Sequence, residues 1–383
     1  MAFRVDVAPE LYRWAVERSR VDVGELQRKF PKLSEWQAGE ASPTLKQLEK
    51  FATATKSPVG YFFLTEPPEE RLPVADFRTT VDASHTSPSP DLLDTLYMMQ
   101  RRQGWLREVL VDAGADPLAF VGSARLADDP GAVGREMRRA LGFGDGWASA
   151  VRSWQDAVSE LRRAVERLGA MAVINGVVGN NTHRQLDVEE FRGFALADPY
   201  APLIFVNGAD AKSAQMFTLA HELAHIWLGE EGLSGFEFLL PAGTAEEEWC
   251  NKAAAEFLAP ALEFRALWEE TKRAANPFEA LARAFKVSPV VAARRTLDLG
   301  LVSRSEFFDF YRAYVGKERG RGTSSGGGDF YNNQNARVGE MFATEVLHAA
   351  MEGRIGFKEA YDLTGLRGGT FQEYARRLGI DLP

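Results

Sequence analysis

Two histidines four positions apart stand in a stretch that the sequence predicts to be a helix, from about residue 211 to 228. Residues four apart lie on one face of an α-helix, so His221 and His225 can present both imidazoles to a single ion. Leu223 and Ala224 between them are apolar, and the chain has only five histidines. A chance pair on a surface helix is the weaker alternative, and we predict a metal site.

Glu222 lies between the two histidines and is left for a chemical role. A catalytic zinc ion has three protein ligands and leaves its fourth position to water, whose proton a neighbouring glutamate can accept as the water attacks a carbonyl. The order His221, Glu222, His225 is typical of metallopeptidases. We therefore predict zinc as the cofactor and peptide hydrolysis as the reaction, with Glu222 as the general base.

The third ligand must come from elsewhere in the chain. Cys250 is the only cysteine, which excludes both an internal disulfide and a zinc site built on cysteines. Cys250 itself is expected to be a buried packing thiol. The nearest carboxylates are Glu246, Glu247 and Glu248, which open a predicted helix from residue 245 to 258.

Helical spacing separates these three glutamates. Glu248 shares a face with residues expected to be solvated, namely Lys252, Ala255 and Glu256. Glu247 leads a stripe expected to face inward, formed with Cys250, Asn251, Ala254 and Leu258. Glu247 is therefore the first choice and Glu246 the second. Thr244 and Glu247 also match a capping box, in which the glutamate binds the N-cap amide and no metal, and spacing alone leaves the two alternatives nearly balanced.

Composition divides the chain into five segments. We predict a small helical domain at 1–68, a Pro/Ser-rich linker at 69–90, a peptidase domain at 91–318, a flexible Gly/Ser-rich loop at 319–336 and a helical segment at 337–383. Three β-type runs, at 170–178, 191–197 and 202–206, predict a small sheet just before the histidine helix. The expected fold class is α+β and mostly helical.

Residues 21–45 read as helix, turn, helix, loop and helix, which resembles an Xre-type helix-turn-helix. In that arrangement Lys29 and Lys32 lie near phosphates, and Ser34 and Gln37 lie near the bases, where Gln37 can read adenine. Residues 1–68 hold ten Lys/Arg against nine Asp/Glu, a net charge of +1. We therefore expect operator DNA binding that is modest, salt-sensitive and dependent on a homodimer, with docking of a protein partner as the alternative.

Two longer runs, 217–225 and 247–260, together with the order of the segments, resemble the ImmA/IrrE metallo-endopeptidases that carry an N-terminal Xre-type domain. The resemblance implies a five-helix N-terminal domain and a zincin-like peptidase domain. It also implies that the third zinc ligand is the glutamate four positions before Asn251, which is Glu247. The runs 191–196 and 204–207 are similar to the strands that the family places beside its site.

Two functions remain open at this point. The resemblance implies a DNA-associated endopeptidase that cleaves a regulatory protein of the repressor or antitoxin type. As the alternative, it also implies a transcriptional regulator or antitoxin that binds its own promoter and a PIN-like ribonuclease toxin, with the peptidase fold as a scaffold. The two functions are compatible with each other.

The remaining sequence features set limits. The net charge of -9 argues against a nonspecific nucleic-acid coat protein, and the absence of a long apolar run or a signal-like start predicts a cytoplasmic protein without a membrane segment.

His85 and His348 read as ordinary polar residues. An oxyanion-stabilising donor is expected on general grounds, and His183, Arg192 and Asn207 are unranked candidates.

Overall fold

The computed structural model describes residues 4–70, 72–76, 88–234, 244–318 and 330–381. Within these ranges the chain is mostly helical, with one five-stranded sheet and a two-stranded hairpin, which agrees with the predicted α+β class. The chain divides into two compact units. The first holds the described residues up to Pro73 and from 88 to Tyr97, and the second holds those from Val74 to 76 and from Met98 onward.

The first unit is built from four short helices and a 3-10 helix around an aromatic core. Its elements are α1 Pro9–Ser19, α2 Val23–Lys29, α3 Leu33–Ala38, α4 Leu45–Ala54 and the 3-10 helix Val59–Phe63. Tyr12, Trp36, Phe51 and Phe62 are almost fully buried, and their rings contact one another. Mutual burial of these four aromatic side chains gives this small unit its own core.

Helices dominate the second unit. Their bounds are α5 Pro90–Asp112, of which Met98 onward belongs to this unit, α6 Pro130–Ala140, α7 Trp147–Ala150, α8 Trp154–Arg167, α9 Lys212–Leu228, α10 Ala245–Leu258, α11 Ala261–Thr271, α12 Pro277–Phe285, α13 Pro289–Asp298, α14 Arg304–Glu318, α15 Phe330–Val338, α16 Glu340–Met351, α17 Phe357–Thr364 and α18 Gly368–Arg377. Several of these helices, among them α6, α8, α10, α13 and α14, begin directly after a residue whose side chain accepts a backbone N–H of the first turn. Such N-caps satisfy amides that have no partner within the helix.

The sheet lies directly against the histidine helix. Its strands are β1 Ala75–Asp76, β2 Met171–Asn175, β5 Gly193–Leu196, β6 Leu203–Asn207 and β7 Gly232–Ser234, in the order β1-β7-β5-β6-β2, and β3 Val177–Val178 pairs with β4 Asn181–Gln185 as a separate hairpin. Strand β5 runs antiparallel to both of its neighbours, and β2 runs parallel to β6. All residues of β2, β5 and β6 are buried, so the three predicted β-type runs are confirmed.

Helix α9 forms the centre of the second unit. All its residues from Ala214 to Trp227 are buried, because it packs on β5 and β6 on one side and on α8 and α10 on others. It ends at Gly229, whose φ of 74° is the left-handed conformation that glycine adopts readily at a helix end. The predicted bounds of α9 and α10 agree with the structure to within one residue.

Some elements leave no clear pattern in the sequence. Strands β1 and β7 have only two and three residues, and β4 is polar and largely exposed, so none of them carries an alternating apolar pattern. The flexible loop predicted over residues 330–336 is wrong, because these residues form most of α15. The helix packs against β2, and its buried Gln334 donates a hydrogen bond to the carbonyl of Thr364 at 3.4 Å. Tertiary packing outweighs the loop-like Asn/Gln composition there.

Other predicted features fall outside the described residues, among them His85, most of the linker and residues 319–329 of the predicted loop. In the part of the chain that the structure describes, every helix is too short or too polar to cross a lipid bilayer.

Candidate metal centre

The imidazoles of His221 and His225 converge on one point beside α9. Their Nε2 atoms lie 3.1 Å apart, and both side chains are almost fully buried. The four-residue spacing therefore does what the sequence predicted, because it brings both rings to the same face of one helix.

Glu247, from α10, completes the group. Its two carboxylate oxygens lie 3.2 Å from the Nε2 atoms of His221 and His225, respectively. The Thr244 hydroxyl accepts a hydrogen bond from the Glu247 amide at 3.3 Å, so Thr244 does cap α10. The Glu247 side chain, however, lies against the imidazoles, and of the two alternatives for this residue the geometry therefore favours the ligand position over the capping box.

The three side chains fit a metal ion. Ligand atoms about 2.0 to 2.1 Å from a tetrahedral zinc ion stand roughly 3.3 to 3.4 Å from one another. The distances among the two nitrogens and the carboxylate oxygens, 3.1 to 3.2 Å, are close to that value. His221, His225 and Glu247 thus form a buried group that could hold a metal ion, and it is the one such group of three or more residues among the described His, Cys, Asp and Glu side chains.

The protonation states of Glu247, His221 and His225 suit the binding of a metal ion. Burial raises the pKa of Glu247, but the two imidazoles lower it by more, so that the carboxylate stays ionised. Burial lowers the pKa of His221, and the Glu247 carboxylate, aided by Glu222 and the Asn251 side chain, more than reverses this. Burial also lowers the pKa of His225, where it prevails and favours the neutral imidazole that binds metals. The group therefore presents one carboxylate and at least one neutral imidazole nitrogen.

Glu222 is fully buried on α9, next to His221 in sequence. A neighbouring strand approaches it closely: an ideal Cβ atom built on Gly193, the first residue of β5, would lie 2.7 Å from Glu222 Oε1. The sequence predicted a role for the glutamate, but sequence reasoning missed this glycine. A glycine inside an apolar strand was the available signal, because it often marks a close approach to the backbone.

The other glutamates of α10 lie away from the imidazoles. Glu246 and Glu248 are not buried, and Glu248 forms an ion pair with Lys252 at 2.6 Å. Glu256, expected to share this solvated face, is instead buried and pairs with Arg295 and Arg135. The face prediction failed there because it considered α10 alone and not the arginines that α6 and α13 bring to Glu256.

Two further residues of α10 lie close to the group. Burial, together with the charge of Glu247, raises the pKa of the Cys250 thiol well above its usual range, which suits the expected packing role. Asn251 stands one turn after Glu247 and interacts with His221. Groups in such a position can orient the ligands of a metal site, and sequence reasoning did not single out Asn251 for this.

The three oxyanion candidates are placed differently. The Asn207 side chain is fully buried and both of its ends are occupied: it donates to the carbonyl of Phe191, before β5, at 3.1 Å and accepts from the amide of Ala209, in the turn after β6. Arg192 pairs with Asp210 at 3.2 Å. His183 is exposed on the separate hairpin.

The residues predicted to contact DNA lie on the surface of the first unit. Lys29, Lys32 and Ser34 are exposed and Gln37 is partly exposed, at the end of α2 and along α3. Lys32 also lies 3.7 Å from the Glu35 carboxylate, which reduces its positive charge locally. These side chains are therefore accessible on the surface of the first unit.

Two family models match parts of the chain. Residues 338–377 match a domain of unknown function, DUF8813. Neither a curated protein nor a solved structure matches the chain. The other model, Peptidase_M78, is described as an IrrE N-terminal-like domain and matches residues 168–297. Neither model reaches the first unit, whose resemblance to Xre-type domains stays a prediction. The segment that carries His221, Glu222, His225 and Glu247 is thus similar to IrrE-type peptidases, which supports a metallopeptidase-type function for it.

Proposed function

We propose that this protein is a zinc-dependent endopeptidase and that its substrate is a regulatory protein. The observation that carries the proposal is the convergence of two imidazoles and one carboxylate at 3.1 to 3.2 Å, with Glu222 next to His221. The match of residues 168–297 to an IrrE-like peptidase model supports the same class of reaction.

His221, His225 and Glu247 would hold the zinc ion. When bound, zinc in such a site polarises a carbonyl and lowers the pKa of water. The Glu222 carboxylate would accept the proton of the water that attacks the peptide carbonyl and pass it to the departing amine nitrogen. Enclosure of Glu222 in the protein interior strengthens such a transfer, because competing solvent is kept away from the carboxylate.

The test compares the wild-type protein with Glu222→Gln, which keeps the size of the side chain but cannot act as a base. We expect about one zinc ion per chain in both proteins, and cleavage products of a cellular protein only in cells that express the wild type. Mass spectrometry of new peptide termini identifies the substrate. Equal cleavage in cells that express either protein would refute the proposed mechanism.

A second proposed role is DNA attachment through the first unit. The exposure of Lys29, Lys32 and Ser34 beside a short turn between two helices supports it. Operator binding should weaken steeply with salt, and Lys29→Ala with Lys32→Ala should weaken it on all sequences, whereas Gln37→Ala should reduce discrimination among sequences. Binding that is insensitive to salt and to all three changes would contradict this role.

The antitoxin alternative makes a different prediction. A protein that neutralises a PIN-like toxin as a scaffold should still do so after His221→Ala and His225→Ala together. Loss of neutralisation by a double variant that remains folded would instead connect any such activity to the metal site.

A further inference from the structure

We infer that Gly193 is a positioning residue for Glu222: the missing side chain at the start of β5 leaves the space that the Glu222 carboxylate occupies. The inference rests on the proposed function, in which Glu222 acts as the base. In this inference Gly193, a residue of β5, acts on the reaction only through the position of Glu222 and contacts neither the substrate nor the metal.

The contact is defined by three distances. A Cβ atom at Gly193 would lie 2.7 Å from Glu222 Oε1, 2.7 Å from Thr218 Cγ2 and 2.8 Å from the carbonyl oxygen of Phe205. All three are shorter than the contacts that real Cβ atoms make. Even alanine is therefore excluded at this position unless α9, β6 or the Glu222 side chain moves.

The requirement for glycine at this position is steric. Gly193 pairs with Val206 of β6 on one side and with Ser234 of β7 on the other. Its φ is not positive. Any residue could adopt this backbone conformation. A glycine weakens a strand, and here the backbone gives no reason for one. What glycine provides here is the close approach of the strand to α9.

The close contact between β5 and α9 involves Glu222 and none of the three residues of the metal-binding group. Thr218 and Glu222 are four residues apart and face β5, whereas His221 and His225 face Glu247 of α10. None of the three atoms that would lie nearest to a Cβ at Gly193 belongs to a member of the metal-binding group. A side chain at 193 should therefore displace the base and leave zinc binding intact.

Gly193→Ala is the test, with Gly176→Ala as its matched control. A Cβ at Gly176 would also meet a backbone atom at 2.7 Å, the amide nitrogen of Ala209, but it is not near Glu222. We expect both variants to bind one zinc ion. We expect Gly193→Ala to lower kcat about 100-fold at unchanged KM on the substrate identified above, since a displacement of about 1 Å at a reacting group has such effects. Gly176→Ala should keep the wild-type kcat.

A readout independent of activity tests the contact itself. The shift in urea midpoint caused by Gly193→Ala should be smaller in a Glu222→Ala background, where the clashing carboxylate is gone, than in the wild type. The shift caused by Gly176→Ala should be the same in both backgrounds. Equal shifts for Gly193→Ala in the two backgrounds would overturn the inference, and so would a normal kcat in folded Gly193→Ala.

One outcome separates the failure of the proposed function from the failure of this inference. Unchanged cleavage by Glu222→Gln would overturn the proposed function, whatever the unfolding measurements show about Gly193. Should Gly193→Ala fail to fold, the same experiments are made with Gly193→Ala and Thr218→Ser together, which removes one of the three clashing atoms. A normal kcat in that folded double variant would equally overturn the positioning role.

Discussion

Glu247 and Glu248 are adjacent in α10, yet only Glu247 directs its carboxylate to the imidazoles of His221 and His225, at 3.2 Å from each. Glu248 is exposed and pairs with Lys252. One helical step of about 100° accounts for the difference, because it separates the face toward α9 from the face toward solvent.

This pair of residues provides the first prediction. Glu247→Gln should weaken zinc binding by more than about 100-fold, since even losses outside the ligand set cost about 10- to 100-fold. Glu248→Gln, which removes the same charge one position along, should leave the affinity unchanged. Competition against a zinc-binding dye measures both affinities. Equal weakening by the two substitutions would contradict the assignment of Glu247 as a ligand.

The second prediction concerns metal removal. Zinc that binds the folded chain alone stabilises it by about 2.7 kcal/mol when present at 100 times its Kd. We therefore expect a chelator to lower the melting temperature of the wild type, and added zinc to restore it. In the double variant His221→Ala and His225→Ala, neither treatment should shift the melting temperature. An equal response in that variant would show that zinc stabilises the chain from another site.

The candidate metal centre was largely predictable from the sequence because its main determinants are local. His221 and His225 are four residues apart on one helix, and Glu247 begins an inward stripe on the next. Whether Glu247 caps its helix or faces the imidazoles depends on how α10 packs against α9, and spacing could not decide that. Only the three-dimensional structure could decide between these two positions of the Glu247 side chain.

The contact between Gly193 and Glu222 could not be predicted in the same way. It joins a strand and a helix that are separated by β6 in the chain, and it depends on the distance between two packed layers. The burial of Glu256 could not be predicted either, because it depends on the ion pair with Arg295 from α13. Long-range packing of this kind leaves little trace in local periodicity.

The third prediction concerns pH. Glu166 of α8 is buried, accepts hydrogen bonds from Arg162 at 2.6 Å and from the backbone amide of Glu340 at 2.8 Å, and lies near Tyr374. Burial raises the pKa of Glu166 from 4.5 to about 7, against the opposing effect of Arg162. Between these two pH values the unfolded chain loses its proton first, so this group lowers stability as the pH rises.

The measurement for Glu166 is urea unfolding at about pH 4.5 and about pH 7.5. Relative to Glu166→Gln, the wild type should lose at most about 3 kcal/mol of unfolding free energy across this range. Glu136→Gln, on the exposed side of α6, is the control and should follow the wild type. A constant difference between the wild type and Glu166→Gln at both pH values would contradict the raised pKa.

The fourth prediction concerns Arg102, which connects α5 to the segment that matches the domain of unknown function. Its buried guanidinium donates to the carbonyl of Leu363 in α17 at 2.9 Å and to that of Arg337 in α15 at 3.0 Å. Both carbonyls are in last turns of helices and lack partners there. Burial lowers the pKa of Arg102 to about 10, so it remains charged near neutral pH and both hydrogen bonds are charge-assisted.

Replacing Arg102 by alanine should therefore be costly. Arg102→Ala leaves one buried carbonyl, of Leu363, and one partly buried carbonyl, of Arg337, without this donor. We expect a loss of about 3 kcal/mol in the free energy of unfolding. Arg101→Ala, an exposed neighbour on the same helix, should change it by less than about 0.5 kcal/mol. Urea unfolding compares the two, and limited proteolysis should cut Arg102→Ala first between residues 330 and 381. If both substitutions prove equally mild, these hydrogen bonds do not hold the C-terminal helices in place.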